Sequence, residues 1–476
     1  MRPPNQLYIG GRWVEPSGTE RIAIADPATG TPAATVAVAT DAEVDAAVMA
    51  ARAAFSDFRS ASVEDRAALL DRLTAAYDER ADDLAGAVAA EIGLGRPFAL
   101  DYQVETGRIH IEETAKALRA RRFDHRVGQA AVRDRPLGVA GLITPWNWPL
   151  TQIVLKVAPA IAAGCAVVLK PSEFGPDQAQ LFAEIVHEAG APPGLVNLVT
   201  GGATVGSALV AHDGVDVISF TGSTATGIAV SKLAADTLKP VALELGGKSA
   251  AIVLDDADLG RAVADTVDLC FSNNGQSCDA PTRLLVPAER EAEALAVAAA
   301  RCAELAVGDP AQGPVDIGPV INERQFDRVQ RLIREGIDEG ATLVAGGPGR
   351  PDGLDGGYFV RPTVFGDVTN DMAIAREEVF GPVLAVLAHH GEGHAIEVAN
   401  DSDYGLAGYV VSADADRARR VAERLDVGQV HINFPDFEPS APFGGHRRSG
   451  HGREAGVWGI DEFLHTTALL GYHKKG

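Results

Sequence analysis

Cysteine is scarce in this chain: four residues in 476, at Cys165, Cys270, Cys278 and Cys302, with no CxxC pair and no Cys/His ligand spacing. A disulfide scaffold is thereby excluded, and each thiol is either core filler or chemistry. Basic residues are also outnumbered, 42 Lys and Arg against 65 Asp and Glu, for a net charge of −23. A surface of that sign repels phosphate backbones and anionic lipid, so nucleic acid and membrane are poor partners. Long hydrophobic runs are missing too. The longest, Val157 to Leu169, contains Pro159 and Gly164 and falls short of the roughly 20 residues a spanning helix needs. Met1 to Gln6 lead into Leu7-Tyr8-Ile9-Gly10-Gly11 without the apolar stretch of a secretory signal, so a cytoplasmic location with reduced thiols is expected.

What is present is the composition of an α/β enzyme: 46% hydrophobic residues, 51 Gly and 27 Pro. The length predicts two to four domains at roughly 150 residues each. Thr40-Asp41-Ala42-Glu43 and Ser62-Val63-Glu64-Asp65 each set a hydroxyl three residues ahead of a carboxylate, the signature of a capped helix start. Behind the first, Val44, Ala47, Val48, Ala51 and Phe55 recur at helical steps; behind the second an Ala/Leu-rich stretch runs to Gly93. From Leu137 the pattern changes to short β-branched runs, 139–143, 166–169, 195–199 and 217–220, separated by helix-length segments. Repeated βαβ units and a parallel, doubly wound sheet follow, with ligands expected at the carboxyl ends of the strands. The alternation resumes beyond Gly246-Gly247 as a second α/β domain. The Arg-rich segment 119–135, with Gly128, reads equally as a hairpin excursion or a solvated loop.

Chemistry-bearing residues cluster where those strands end. Thr144-Pro145-Trp146-Asn147-Trp148-Pro149 is a rigid loop offering either a fixed amide donor for an oxyanion or a structural turn. Lys170-Pro171-Ser172-Glu173 sets a cation and a carboxylate where a ribose would rest, or where both are simply solvated; a carboxylate there accepts from ribose hydroxyls and repels a 2′-phosphate. Phe220 to Gly227 joins a strand to a helix with Gly222, Ser223 and Gly227, a seat for a pyrophosphate, although no G-x-G-x-x-G follows a strand. Glu244, at an apolar strand end, is a general-base candidate because burial raises its pKa. Gly275-Gln276-Ser277-Cys278 delivers a thiol into a Gly/Asn-rich loop, a nucleophile if positive potential or an adjacent base activates it. Cys165, Cys270 and Cys302 read as core. His389, His390 and His394 read as a solvated loop, and no metal site is expected.

Together, Thr144 to Pro149, Lys170 to Glu173, Phe220 to Gly227, Glu244 to Lys248, Gln276 to Cys278, Glu377 to Pro382 and Pro442-Phe443-Gly444-Gly445 with Gly452-Arg453-Glu454 resemble the aldehyde dehydrogenase superfamily in order and spacing, over essentially the whole chain. The resemblance implies an α/β fold of three parts: a Rossmann-like parallel-sheet cofactor domain (1–118 and 138–246), an α/β catalytic domain (247–445), and a small β oligomerisation arm with the C-terminal tail (119–137 and 446–476). It implies that Cys278 attacks the aldehyde, that Asn147 and the Cys278 N–H hold the oxyanion, and that Glu244 activates the water that hydrolyses the thioester. NAD, rather than NADP, is the implied cofactor. Thr144, Pro145, Trp146, Lys170, Ser172, Glu173, Gly222, Ser223, Gly227, Leu245, Glu378 and Phe380 would contact it. Trp148, Leu155, Ser277 and Asp279 would line the substrate pocket. Relatives that oxidise semialdehydes can carry Arg, and betaine-aldehyde relatives Trp, at the position of Leu155; Leu offers neither clamp, so an uncharged apolar aldehyde is expected. A homodimer or homotetramer is implied. The alternatives are a CoA-acylating dehydrogenase and a catalytically silent NAD-binding oligomer.

Overall fold

A computed structural model describes residues 6–473. The leader reading at Met1–Asn5 and the final three residues of the tail lie outside the described residues. The first capped segment forms the helix Asp41–Phe58, where the Thr40 N–H donates to Glu43 Oε2 at 2.7 Å. The second does not run unbroken to Gly93. It divides at Arg80 into Val63–Glu79 and Ala81–Ile92, and Gly93 ends the latter with φ +74. A Cβ at Gly93 would lie 2.6 Å from Pro319 Cγ, so the close approach also requires glycine.

The first sheet has eight strands in the order Gly450–His451, Val241–Glu244, Val217–Thr221, Val139–Ile143, Ala166–Lys170, Val196–Leu198, Leu7–Ile9 and Arg12–Val14. The five central strands run parallel and the edge strands antiparallel. Val139–Ile143, Ala166–Lys170 and Val217–Thr221 are buried along their whole length, as a sheet covered by helices on both faces requires. The second sheet has seven strands, Thr342–Ala345, Thr363–Gly366, Val383–His389, Arg283–Pro287, Ala250–Val253, Ala407–Val411 and Gln429–Ile432, parallel except for the first. His389 therefore ends a strand instead of lying in a solvated loop: it is buried, with Nε2 3.0 Å from Val253 O.

Segment 119–135 resolves as the hairpin. After the helix Glu105–Ala120, Asp124–Val127 pairs with Ala130–Pro136, which in turn pairs antiparallel with Leu464–Leu469. The tail 446–476 is not one unit with this arm. Gly450–His451 adds to the edge of the first sheet, and the helix Gly456–Asp461 packs on the helices Glu105–Ala120 and Pro149–Ala163. Only after Phe463, whose carbonyl accepts from Leu137 N at 2.9 Å, does the chain enter the arm.

Candidate active site

Asn147 stands where the strand Val139–Ile143 gives way to the helix Pro149–Ala163, whose proline at the first position sets the helical φ at no hydrogen-bond cost. Its side chain is fixed: Nδ2 donates to Gln276 O at 2.9 Å. Its backbone carbonyl accepts from Gln103 Nε2 and Asn273 Nδ2, both at 2.9 Å, and Gln103 Nε2 also donates to Asn273 Oδ1 at 3.0 Å. Next along the loop, Trp148 Nε1 donates to Ser277 Oγ at 2.9 Å. The amide of Asn147 and the residue preceding the thiol thus belong to one bonded network.

The thiol loop is built by three successive left-handed residues, Asn273 (φ +54), Asn274 (φ +59) and Gly275 (φ +71), after the helix Leu259–Phe271. Asn tolerates this region through local hydrogen bonding, and Gly275 has no room for a side chain: a Cβ would lie 2.2 Å from Gly381 C. The reversal brings Cys278 to partial exposure, whereas Cys165, Cys270 and Cys302 are buried and their thiols are pushed up to about 12 by that burial. Cys278 is also held well above the usual thiol range, by desolvation first and then by the carboxyl groups of Asp279, Glu378 and Glu244. Positive potential, one of the two activating routes expected, is therefore not what surrounds it.

Glu244 ends the strand Val241–Glu244 at 4% exposure, with both carboxylate oxygens lacking a hydrogen-bond partner among the described residues. Desolvation first, then the Glu454 carboxylate, push it well above the ordinary glutamate range, against Lys156 and Arg453. Lys156 is fully buried; its Nζ donates to Thr221 Oγ1 at 2.7 Å and forms an ion pair with Glu454. Gly444 (φ +142) leaves the space beside the base, since a Cβ there would lie 2.6 Å from Glu244 Oε1.

A second group of side chains lies along the strand ends of the first sheet. Lys170 is buried, not solvated: Nζ donates to Gly201 O at 2.8 Å and lies 3.8 Å from half-buried Glu173, and desolvation lowers its pKa against the pull of that carboxylate. Ser172 Oγ accepts from Phe174 N at 3.3 Å. Thr144 Oγ1 is buried without a partner among the described residues. Pro145 and Trp146 follow it, and the Trp146 ring meets Phe380 edge-on at 5.5 Å across the two sheets. Phe380 holds φ +60. Ser223 Oγ caps the helix Thr224–Ala235 by accepting from Thr226 N at 3.3 Å, while Gly222 N donates to Glu244 O. Gly227 packs on Leu245, where a Cβ would come within 2.6 Å of Cδ2. Glu378 Oε1 accepts from Gly247 N at 3.1 Å, and burial pushes its carboxyl up to about 7. Leu155 is buried in the helix Pro149–Ala163, and Asp279, its carboxyl raised by desolvation against the nearby His431, accepts from Tyr409 Oη through its backbone oxygen at 3.1 Å.

Gln103, Asn273, Asn274 and the Lys156–Glu454 pair are structural partners of the site that the motifs alone do not single out. Lys156 carries a legible signal, a single charge inside the otherwise apolar stretch from Ile153 to Ile161.

Residues 13–469 match the aldehyde dehydrogenase family model. A 3-succinoylsemialdehyde-pyridine dehydrogenase from a Pseudomonas species is 48% identical over 474 residues, 99% of each chain. Among solved structures, a cysteine-to-alanine variant of aldehyde dehydrogenase C from Pseudomonas syringae, complexed with NAD+ and octanal, superposes with a TM-score of 0.98 at 48% identity, covering 99% of this chain and 98% of that one. An aldehyde dehydrogenase from Mycobacterium tuberculosis, complexed with NAD+, superposes with a TM-score of 0.95 at 42% identity over 98% of each chain. With a family model spanning nearly its whole length and relatives of this identity and coverage, the chain belongs to the aldehyde dehydrogenase family.

Proposed function

We propose that this protein oxidises an uncharged, apolar aldehyde to the carboxylic acid, with Cys278 as nucleophile, Asn147 as oxyanion donor and Glu244 as the base for hydrolysis. The observation that carries the reading is the part-exposed thiol of Cys278, one bonded network away from the fixed amide of Asn147 and within electrostatic reach of the unpartnered Glu244 carboxyl.

NAD fits the residues present. A buried Lys170 beside Glu173 suits a ribose diol, the orphan Thr144 hydroxyl suits a bound polar group, and Gly246 lets the Glu378 carboxyl approach the backbone, a Cβ there lying 2.2 Å from Glu378 Oε2. The relatives solved with NAD+ support the same cofactor. Glu173 favours NAD over NADP by repelling a 2′-phosphate. When bound, the nicotinamide supplies the hydride acceptor.

The chain's own part begins as Cys278 gives its thiol proton to Glu244, the adjacent base, which passes it on to solvent, and Sγ bonds to the aldehyde carbon. The carbonyl oxygen then takes the negative charge, which Asn147 Nδ2 and the Cys278 N–H stabilise without reorganising. Loss of hydride leaves a thioester on Cys278. Glu244 takes a proton from water as its oxygen attacks the thioester carbon, and the acid leaves as the thiolate is released. A raised pKa suits this base, because proton transfer is most effective when the pKa lies near the working pH. Trp148, its Nε1 satisfied by Ser277, and Leu155 give the substrate an apolar surround, and the octanal bound by the Pseudomonas syringae relative is in keeping with it. The arm would join subunits into a dimer or tetramer, and reduced, unpaired thiols suit the cytoplasm. Among the described residues, no helix is long and apolar enough to cross a membrane.

Cys278→Ala tests the reading. It should abolish NAD reduction with octanal while retaining NAD binding by calorimetry, and sustained turnover in that variant would overturn it.

A further inference from the structure

Between the strand Gln429–Ile432 and Phe443 the chain passes through two left-handed residues, Asn433 (φ +56) and Phe434 (φ +48), before Phe437. One end of this loop lies beside the residue that follows the nucleophile. Phe434 packs on Tyr409 at 6.1 Å, His431 stacks on the same ring at 4.6 Å, and Tyr409 Oη donates to Asp279 O. The other end reaches the helix Glu105–Ala120, where the Phe437 ring meets His110 at 5.6 Å and 88°.

That helix starts from the site itself. Gln103 lies in the π-helical turn Ala99–Val104 that leads into it, and Gly107 and His110 are one three-residue step apart on the helix itself. Gln103 bonds to Asn147, while a Cβ at Gly107 would lie 2.5 Å from Oη of the buried Tyr77 and 3.8 Å from the Leu150 backbone. Helix and loop therefore each lead from residues beside Cys278 to the contact between His110 and Phe437. Trp148, tied to Ser277, is followed outward by Phe98 at 6.2 Å and Tyr102 at 4.8 Å from Phe98, and Phe437 faces from the loop. Tyr102 and Phe437 are exposed, so this aromatic lining opens to solvent.

A buried polar side chain lies against the Phe437 ring. His110 is 6% exposed, and its Nδ1 is buried without a hydrogen-bond partner among the described residues. Burial pushes the imidazole down to about 4, so at neutral pH it is uncharged and carries one N–H donor. A buried polar atom left unpaired is unfavourable, and a ligand that pairs it gains accordingly.

We propose that His110 is a specificity-determining residue whose Nδ1 hydrogen-bonds an uncharged acceptor, a ring nitrogen or a ketone oxygen, in an aldehyde whose apolar body packs on Phe437, Phe98 and Trp148. The proposal rests on the dehydrogenase reading for the chemistry at Cys278 and adds which aldehydes that chemistry serves. An imidazole held neutral by burial suits a neutral acceptor and offers no charge to pair with a carboxylate.

Two matched pairs test it: 3-(3-pyridyl)propanal against 3-phenylpropanal, and 4-oxooctanal against octanal. The arms separate a ring nitrogen from a ketone as the acceptor. In at least one pair the acceptor-bearing member should be preferred in kcat/KM by about tenfold. His110→Phe should bring that ratio to about one, the ratio within each pair being the readout whatever the absolute rate, and His110→Asn, which keeps a donor near the Nδ1 position, should restore part of it. Phe437→Ala, at an exposed ring, should weaken all four aldehydes alike. The same preference, read by calorimetry on Cys278→Ala with and without His110→Phe, makes the result independent of turnover. Equal handling of both pairs by the unaltered enzyme, or a ratio untouched by His110→Phe, would overturn the role of His110. Absence of oxidation of all four aldehydes with the binding preference intact would overturn the dehydrogenase reading instead.

Discussion

Two buried carboxyl groups, Glu244 and Glu454, stand near one buried cation, Lys156, and the cation pairs with Glu454. Glu244 is consequently left with its burial uncompensated, and a carboxylate without a bonded partner in a low-dielectric site holds its proton to higher pH. The unprotonated form is the base, so hydrolysis of the thioester should rise with pH through the elevated Glu244 pKa. Glu454 is the largest charge raising that pKa, and Lys156 opposes it. Glu454→Gln removes the repulsion and frees the Lys156 cation to act on Glu244, and both effects lower the pKa. The acid limb of kcat against pH should move to lower pH in Glu454→Gln. A limb that stays in place or moves upward would show that Glu244 is not coupled to this pair. At this scale Cys278, Glu244 and Asn147 stand out in the sequence as candidates because each sits in a short motif. The pairing of Lys156 with Glu454 is not, since 298 residues separate the partners and only the fold brings them together.

At the scale of elements, the thiol depends on a turn that belongs to neither sheet. Asn274 Nδ2 donates to Gly93 O at 3.0 Å and to Pro319 O at 2.9 Å, and its Oδ1 accepts from Gly318 N at 2.7 Å. One buried side chain thereby satisfies the end of the helix Ala81–Ile92, the segment before Asn322, and the approach to Cys278. Asn274→Ala would leave three buried backbone groups unpaired and place alanine at φ +59. Buried polar groups cost about 1–3 kcal/mol each when abandoned, with relaxation recovering part. We expect a loss of about 3 kcal/mol in urea denaturation, with Cys278 becoming more accessible to a thiol reagent. A change below about 0.5 kcal/mol, the range of ordinary surface substitutions, would mean that the turn holds its shape without this anchor. The Gly/Asn richness of residues 273–275 announces a loop, but the sequence carries no sign of which backbone groups Asn274 reaches. The helix break at Arg80 leaves no local sign for a related reason: the Ala/Leu pattern continues through it, and Arg80 is instead set by Asp83, Glu184 and Glu188.

For the molecule as a whole, the two parallel sheets were readable from the alternation of β-branched runs with helix-length segments, because periodicity is local. The joining of the tail to the hairpin, seen as Leu464–Leu469 on Ala130–Pro136, is implied by the family resemblance and not by any local pattern, and the return of Gly450–His451 to the first sheet by neither, as edge pairings over such sequence separation leave no periodicity. That arm bears on assembly. A small three-stranded sheet needs an apolar face or a packing partner to be stable, and here the edge strand Asp124–Val127 is exposed along its length, with Val127 at 62% and, just past the opposite edge strand Leu464–Leu469, Leu470 at 86% exposure. An open strand edge beside exposed apolar side chains is what a second subunit would cover. Each chain also carries a charge of −23, so subunits repel one another and that repulsion is screened by salt. Val127→Asp combined with Leu470→Asp should therefore lower the sedimenting mass toward the 49.6 kDa of one chain, most completely at low ionic strength. Sedimentation velocity of both forms across a salt series makes the comparison. An unaltered protein that already sediments as a single chain would remove the arm from any role in assembly, and a double variant that stays assembled at low salt would move the contact to another surface.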